Sequence, residues 1–169
     1  MTEKCFPEID FERSDFDFET LEEELRADER CRALLKRFCA HLLDRGEAPQ
    51  FVSDLAFCAD FYLRDYLIDF ARMNVVKPTS GIVKRFAATW LITRTLDPDM
   101  PLIERHLLAI REFYSFLKIQ RFISEEELFM IEEEAAQTAY YSQRLERFLA
   151  IKNDEYIAWE AECSLRGQI

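Results

Sequence analysis

The chain has 169 residues and a mass of 20.1 kDa, and its formal net charge is −11. It contains only 3 Gly and 5 Pro, and few Val or Thr, which argues against β-sandwiches and barrels. The length suits one domain with a sizeable core. We predict an all-α, single-domain bundle of five to six helices at 18–169, preceded by an acidic, aromatic N-terminal arm at 1–17. Two crossed helical hairpins followed by a long fifth helix are the arrangement that we consider first.

Acidic residues are concentrated towards both ends of the chain. Residues 1–30 hold 12 acidic and 4 basic side chains, residues 31–123 hold 10 and 14, and residues 124–169 hold 11 and 4. An acidic chain repels phosphate groups, so we expect neither nucleic acid binding by the full chain nor attraction to an anionic membrane surface. The most apolar long segment, 51–70, carries five charged residues, which argues against a membrane span.

The start of the chain and its cysteines predict a cytoplasmic location. The first residues lead into an acidic stretch, whereas a secretory signal begins with a basic residue and an apolar run. The 5 Cys are odd in number and irregularly spaced, so we expect free, buried thiols rather than a disulfide framework.

Residues 5–18 alternate large apolar and acidic side chains. No helical period fits the apolar positions, so we predict an arm in extended conformation. We favour packing of its aromatic side chains onto the bundle, because they are costly to leave in water. The alternative is a docking segment for a partner protein, in which Phe11, Phe16 and Phe18 would make the contacts.

The first two helices are predicted from apolar spacing. One apolar stripe at spacings of three and four marks a helix over 18–45, and it consists of Ala27, Cys31, Leu34, Phe38 and Leu42. Gly46 ends this helix, and Pro49 suits the start of the next, which runs to about Met73. The second helix is apolar on most sides, so we expect it to lie centrally in the bundle.

The third and fourth helices are separated by a loop that contains two prolines. Thr79 or Ser80 is predicted to cap the third helix, which reaches about Leu96. The fourth helix runs from Pro101 to about Arg121. Its predicted core face consists of Ile103, Leu107, Ile110, Tyr114 and Leu117.

The fifth helix has the clearest start in the chain. Ser124 and Glu127 form a capping box, in which hydroxyl and carboxylate each accept a backbone N–H. A three-four apolar spacing carries the helix to about Lys152, and its centre, Ala135, Thr138 and Ser142, is small or polar. Packing within the chain is the favoured interpretation, and a homodimer seam through these residues is the alternative. A last short helix would start at Asn153 or Asp154 and end near Gly167.

Residue patterns that specify a chemistry are missing from the sequence. The two histidines, His41 and His106, border apolar stripes and are interpreted as core or boundary residues. Neither lies in a Glu-x-x-His motif, and no cysteine pair has zinc-site spacing, so we predict no metal, no cofactor and no catalytic residues. The stretch 79–81 lacks the frame of a nucleotide loop and is interpreted as a helix cap. The acidic triplets at 22–24 and 132–134 are interpreted as helical surface.

The stretch 103–117, Ile-Glu-Arg-His-Leu-Leu-Ala-Ile-Arg-Glu-Phe-Tyr-Ser-Phe-Leu, with Phe122-Ile123 after it, resembles the last helix of the core-binding domain of tyrosine recombinases. The resemblance covers 51–123 at most and implies a SAM-like helical fold. The catalytic domain of that family has no room in the residues that follow. The resemblance also implies a phosphate-facing basic surface, which would consist of Lys84, Arg85, Arg105, Arg111 and Lys118.

Three functions follow from these patterns. The first is a non-catalytic helical protein that binds another protein or a second copy of itself, favoured by the acidic aromatic arm and the spacing of the fifth helix. The second is a DNA-associated module in which acidic flanks cover the basic middle segment. The third is a ligand binder or enzyme with an aromatic cavity between helices, where His106 and Tyr114 would be the polar anchors.

Overall fold

The computed structural model describes residues 10–166, and its secondary structure there is entirely helical, which confirms the all-α class. Residues 10–166 contain seven helices, not the predicted five to six, apart from one short 3₁₀ turn. They are α1 (Leu21–Asp44), α2 (Pro49–Asp60, continued by Phe61–Phe70), α3 (Ile82–Arg85, Phe86–Trp90 and Leu91–Arg94 in one run), α4 (Met100–Ile119), α5 (Glu125–Ala135), α6 (Thr138–Leu149) and α7 (Glu155–Glu162). No helix in this part of the chain has the length and apolar character needed to cross a membrane.

Helix α1 begins at a capping box that the sequence analysis did not identify. The Thr20 hydroxyl accepts a hydrogen bond from the Glu23 amide at 3.2 Å, and the Glu23 carboxylate accepts one from the Thr20 amide at 3.1 Å. The predicted apolar stripe of α1 is buried along its whole length. Helix α1 packs against α2 through this stripe, as expected for the first hairpin.

Helices α2 and α3 each contain a π-helical segment, in which backbone hydrogen bonds join residues five apart. These segments, Phe61–Phe70 and Phe86–Trp90, are rich in aromatic residues and contact each other. The ring centres of Tyr62 and Phe86 lie 4.9 Å apart, and those of Tyr66 and Trp90 lie 5.2 Å apart. Such offset and edge contacts stabilise aromatic pairs, so the two π segments form one aromatic centre of the core.

Helix α4 packs between α2 and α5. The Asp99 carboxylate caps its start by accepting the Leu102 amide at 2.8 Å. Its predicted core face is buried as expected. The helix packs mainly against α2 on one side and α5 on the other, and much less against α3. A separate second hairpin of α3 and α4 is therefore not the main unit of the fold.

The long fifth helix was predicted wrongly. Its start is confirmed, because Ser124 and Glu127 form the capping box, but the chain turns after Ala135 and α6 begins at Thr138. The Tyr141 hydroxyl donates to the Glu134 carbonyl at 2.6 Å, and this bond replaces one that a continuous helix would make. The turn therefore depends on a side chain of the following helix.

The described part of the N-terminal arm packs onto the bundle. Residues Arg13–Phe16 form one turn of 3₁₀ helix instead of the predicted extended chain. Phe16 is buried and meets the Phe122 ring edge-on at 6.3 Å, while Phe11 packs on Phe16 from outside. Phe18 lies under the Arg72 guanidinium, 4.9 Å from it. Phe16 is thus unavailable to a partner in this conformation; residues 1–9 of the arm lie outside the described range.

The cysteines of the described residues are free thiols, as predicted. Cys31, Cys58 and Cys163 are buried and Cys39 is half-buried. Burial raises the pKa of the Cys31 thiol well above its usual range, which makes it a poor nucleophile. Cys5 lies outside the described residues.

Candidate functional site

The predicted basic residues are divided between two helices. Lys84 and Arg85 lie on α3, and Arg105, Arg111 and Lys118 lie on α4. The Nζ atom of Lys84 lies 4.5 Å from the centre of the Tyr140 ring, and Lys118 pairs with Glu125 at 3.1 Å. A common phosphate-facing surface stays a prediction.

The three residues of the proposed dimer seam are divided between two helices. Ala135 is the last residue of α5 and is buried, whereas Thr138 is the first residue of α6 and is exposed. Ser142 is half-buried on α6. Because the turn at 136–137 interrupts the helix, they do not form a single stripe. Self-association itself stays a prediction.

Both histidines occupy the positions that the sequence predicts. His106 is buried between the Phe61 and Phe86 rings, and its Nδ1 lies 2.9 Å from the Leu102 carbonyl oxygen. Burial lowers the pKa of His106, which favours the neutral ring. His41 is half-buried against Phe116, and burial also lowers its pKa. The residues described contain no group of three or more side chains suited to hold a metal ion.

Tyr114 and His106 do not meet in a common cavity. The Tyr114 hydroxyl is fully buried and donates to the Val75 carbonyl at 2.8 Å, so a backbone group already satisfies it. His106 instead lies at the edge of a surface depression. The pair therefore does not supply the two polar anchors of an internal ligand site.

A carboxylate from α5 holds the start of α3. Thr79 or Ser80 was predicted as the cap, and this prediction is wrong, because Gly81 precedes the helix and neither side chain caps it. Glu134 accepts hydrogen bonds from the Gly81 amide at 3.1 Å and the Lys84 amide at 3.0 Å. The backbone amides that attract an anion at a helix start are thus occupied by the protein's own carboxylate.

Glu134 is 93% buried, whereas its neighbours Glu132 and Glu133 are exposed as predicted. The sequence does contain a signal for its position. Glu134 follows the buried Ile131 by three residues, which places it on the core face of α5. An acid at such a position needs a buried donor, and only the tertiary structure shows which donor it has.

Arg144 on α6 was also missed, and it is the largest fully buried side chain. Its guanidinium donates to the Ala88 carbonyl, the Trp159 carbonyl and the Thr89 hydroxyl, and it stacks 3.9 Å from the Trp159 ring centre. The Trp159 indole N–H donates back to the Arg144 carbonyl at 2.9 Å. These partners belong to α3 and α7, so Arg144 joins three helices. Most of its guanidinium donors are engaged within the protein and are not available to a ligand.

The surface feature best suited to binding is a depression between the second half of α2, the end of α3 and the start of α4. We call it the arginine-flanked depression, and its volume is about 570 Å³. Its apolar lining is Phe57, Phe61, Leu91, Leu96, Pro101 and Leu102, and its polar lining includes Arg94, Arg105, Asp97, Asp99 and His106.

Two large apolar side chains at this depression are open to solvent. Leu96 is 100% exposed and Phe57 is 69% exposed. Leu96 lies two residues beyond the end of α3, and Phe57 lies on the solvent-exposed side of α2. Exposed apolar side chains that cluster around a concave surface are typical of protein interaction sites.

The two arginines of the depression carry charges without ion-pair partners among the described residues. Arg94 is held by stacking, 5.5 Å over the Trp90 ring and 5.7 Å over Phe70. Asp99 is committed to the cap of α4. The depression therefore combines an apolar lining and one further exposed carboxylate, Asp97, with two guanidinium groups of the kind that bind carboxylates.

Searches for similar proteins give no relative from which a function could be transferred. Comparisons with protein-family models, with curated proteins and with solved structures found no match. The resemblance to the recombinase core-binding domain consequently stays a prediction.

Proposed function

We propose that this chain is a non-catalytic helical protein that binds another protein through the arginine-flanked depression. The observation that supports this most strongly is the exposure of Phe57 and Leu96 beside two arginines that have no ion-pair partner within residues 10–166. Aromatic and arginine side chains supply much of the binding energy at protein interfaces. The partner segment would carry apolar side chains next to carboxylates. Its apolar side chains would contact the apolar lining, and its carboxylates would pair with the two arginines.

We prefer a protein to a nucleic acid as the partner. The chain as a whole has a net charge of −11. A chain with this much negative charge repels phosphate groups, and phosphate binding needs several neutralising cations along one surface. An exposed Leu and Phe suit an apolar pocket or groove of a protein.

Site-specific photo-crosslinking tests the proposal. A photo-reactive phenylalanine analogue is placed at Phe57 or at Leu96 of the full chain, and at Leu149 as a matched control. Leu149 is similarly exposed, at 64%, but lies at the end of α6, away from the depression. In an extract of the source cells, we expect one discrete crosslinked protein from the first two positions.

The control position decides how the crosslinks are interpreted. The same product should be absent at Leu149 and should disappear from the Phe57 position when Arg94→Glu and Arg105→Glu are added. Equal crosslinking at all three positions would contradict a specific surface, and so would the absence of any product at Phe57 and Leu96.

A further inference from the structure

A second surface of the chain has the opposite character to the arginine-flanked depression. Near the end of α4 and along α5 lies a shallow depression lined by Lys118, Glu125, Glu126, Leu128, Phe129 and Glu132, which we call the acidic apolar face. Phe129 is 60% exposed there, surrounded by three exposed glutamates. Lys118 engages only Glu125, at 3.1 Å, which leaves Glu126 and Glu132 without ion-pair partners in the described part of the chain.

The acidic apolar face has the chemistry that the arginine-flanked depression requires. One offers an exposed Phe beside two carboxylates, Glu126 and Glu132, that have no ion-pair partner among the described residues, and the other offers an apolar lining beside Arg94 and Arg105, which also have none there. Bidentate arginine–carboxylate pairs are the strongest of the common ion pairs at protein surfaces, and aromatic anchors suit concave apolar linings. The two arginines of one surface can therefore pair with the two glutamates of the other.

The two surfaces cannot meet within one molecule. Arg105 lines the arginine-flanked depression and Lys118 lines the acidic apolar face, and both residues lie on α4. They are thirteen residues apart, which corresponds to roughly 20 Å along the helix axis. Any contact between the surfaces must join two copies. Repulsion between two chains of net charge −11 does not prevent this, because charges farther apart than about 8 Å are largely screened at physiological salt.

We infer that the partner of the arginine-flanked depression is the acidic apolar face of a second copy of this chain. This inference rests on the proposed function and names the partner of the same site. The contact is head-to-tail, because it uses a different surface on each copy. Such a contact produces either a closed ring or an open chain of copies, rather than a two-fold dimer that buries the same patch twice.

Charge-reversal variants in sedimentation experiments test the inference. The first variant carries Arg94→Glu and Arg105→Glu, and the second carries Glu126→Lys and Glu132→Lys. We expect the wild-type chain to form larger species as its concentration rises at physiological salt. Each variant alone should associate roughly tenfold or more weakly, since a like-charged contact replaces an attractive one.

Mixing the two variants supplies the sharpest result. The first keeps its acidic apolar face and the second keeps its depression, and the two reversed surfaces are again opposite in charge to each other. We therefore expect the mixture to regain the association that each variant alone has lost, in assemblies that contain the two variants in equal amounts. Arg111→Glu and Glu133→Lys are the controls, because both residues are exposed on the same helices but line neither surface; they should associate like the wild type.

The outcomes separate this inference from the proposed function. All reversed residues are exposed, and unchanged circular dichroism would show that the variants fold. A wild-type chain that stays monomeric, or a mixture that associates no more strongly than each variant alone, overturns self-association. If crosslinking at Phe57 then still captures a different protein, the proposed function stands; if it captures nothing, both fail.

Discussion

At the scale of single residues, Arg144 is the side chain on which the C-terminal part of the fold depends most. A buried guanidinium is stable only when polar groups replace its hydration, and here two carbonyls, one hydroxyl and an indole ring do so. Burial lowers the pKa of Arg144 from its usual high value, but arginine stays charged. One side chain thus connects α6 to both α3 and α7.

We predict that Arg144→Leu lowers the free energy of unfolding by about 3 kcal/mol. The substitution leaves buried oxygen acceptors unpaired, at about 1–3 kcal/mol for each that is not reached by water. Arg144→Lys should lower it by less, because one ammonium keeps the charge but cannot reach all three acceptors. Urea denaturation followed by tryptophan fluorescence measures both. Arg147→Leu, at an exposed position on the same helix, is the control and should change stability by less than about 1 kcal/mol.

At the scale of helices, the cap of α3 is supplied from another helix. Glu134 belongs to α5, and its two hydrogen bonds satisfy amides that α3 itself cannot pair. Gly81 precedes α3 with a φ of +85°, and its side-chain-free backbone accommodates the Arg85 guanidinium close by. The start of α3 is therefore defined by tertiary contacts rather than by its own sequence.

We expect Glu134→Ala to destabilise the protein by about 1–2 kcal/mol, since helix caps typically contribute this much. Glu134→Gln should retain part of the effect, because one amide oxygen still accepts a hydrogen bond. Hydrogen exchange measures the change at single amides. The Gly81 and Lys84 amides should exchange faster in Glu134→Ala than in the wild type, and the acceleration should be larger there than at the other amides of α3. Glu133→Ala, one residue away and exposed, should leave these amides as they are; equal acceleration in this variant would refute the cap.

The helix boundaries show which parts of the fold were predictable from sequence. Ser124 was identified correctly because its capping partner, Glu127, lies three residues away on the same helix. The turn between α5 and α6 was missed because it has neither Gly nor Pro, and its stabilising bond comes from the Tyr141 hydroxyl. The apolar spacing continues across the turn, so a pattern of period 3.6 cannot reveal it.

The binding surface could not be predicted for a related reason. Phe57 and Leu96 each belong to an apolar stretch that would suit the core, and their exposure becomes visible only when α2, α3 and α4 are assembled. Arg105 was singled out as a basic residue, but its grouping with Lys84 and Lys118 came from the family resemblance and stays a prediction. The sequence pattern predicts which face of each helix is buried. It does not predict which residues of different helices come together to form a surface depression.

At the scale of the whole molecule, the N-terminal segment belongs to the folded unit from Phe11 onwards. Arg13 pairs with Glu127 on α5 at 2.8 Å, and Asp17 pairs with Lys77 in the loop before α3 at 2.9 Å. Phe16 lies between these contacts and is 99% buried. The segment therefore connects the start of the chain to the loop before α3 and to the α4–α5 connection.

We predict that Phe16→Ala costs about 3–5 kcal/mol, as for other fully buried phenylalanines. Phe129→Ala is the matched control at an exposed position and should cost close to nothing in stability. Thermal unfolding of both variants measures the difference. A stability of Phe16→Ala equal to that of the wild type would mean that the segment is an appendage and not part of the core.

Helices α5 and α6 each contribute one charged side chain that contacts α3, and the two side chains, Glu134 and Arg144, have opposite charges. Glu134 engages amide donors at the start of α3, while Arg144 engages carbonyl and hydroxyl acceptors two turns later. A shift of α3 by one turn along its axis would separate both charges from their complementary groups, at a cost that apolar contacts alone would not impose. The pair therefore fixes the register of α3 against its neighbours, because only one axial position of α3 brings donors to Glu134 and acceptors to Arg144 at the same time.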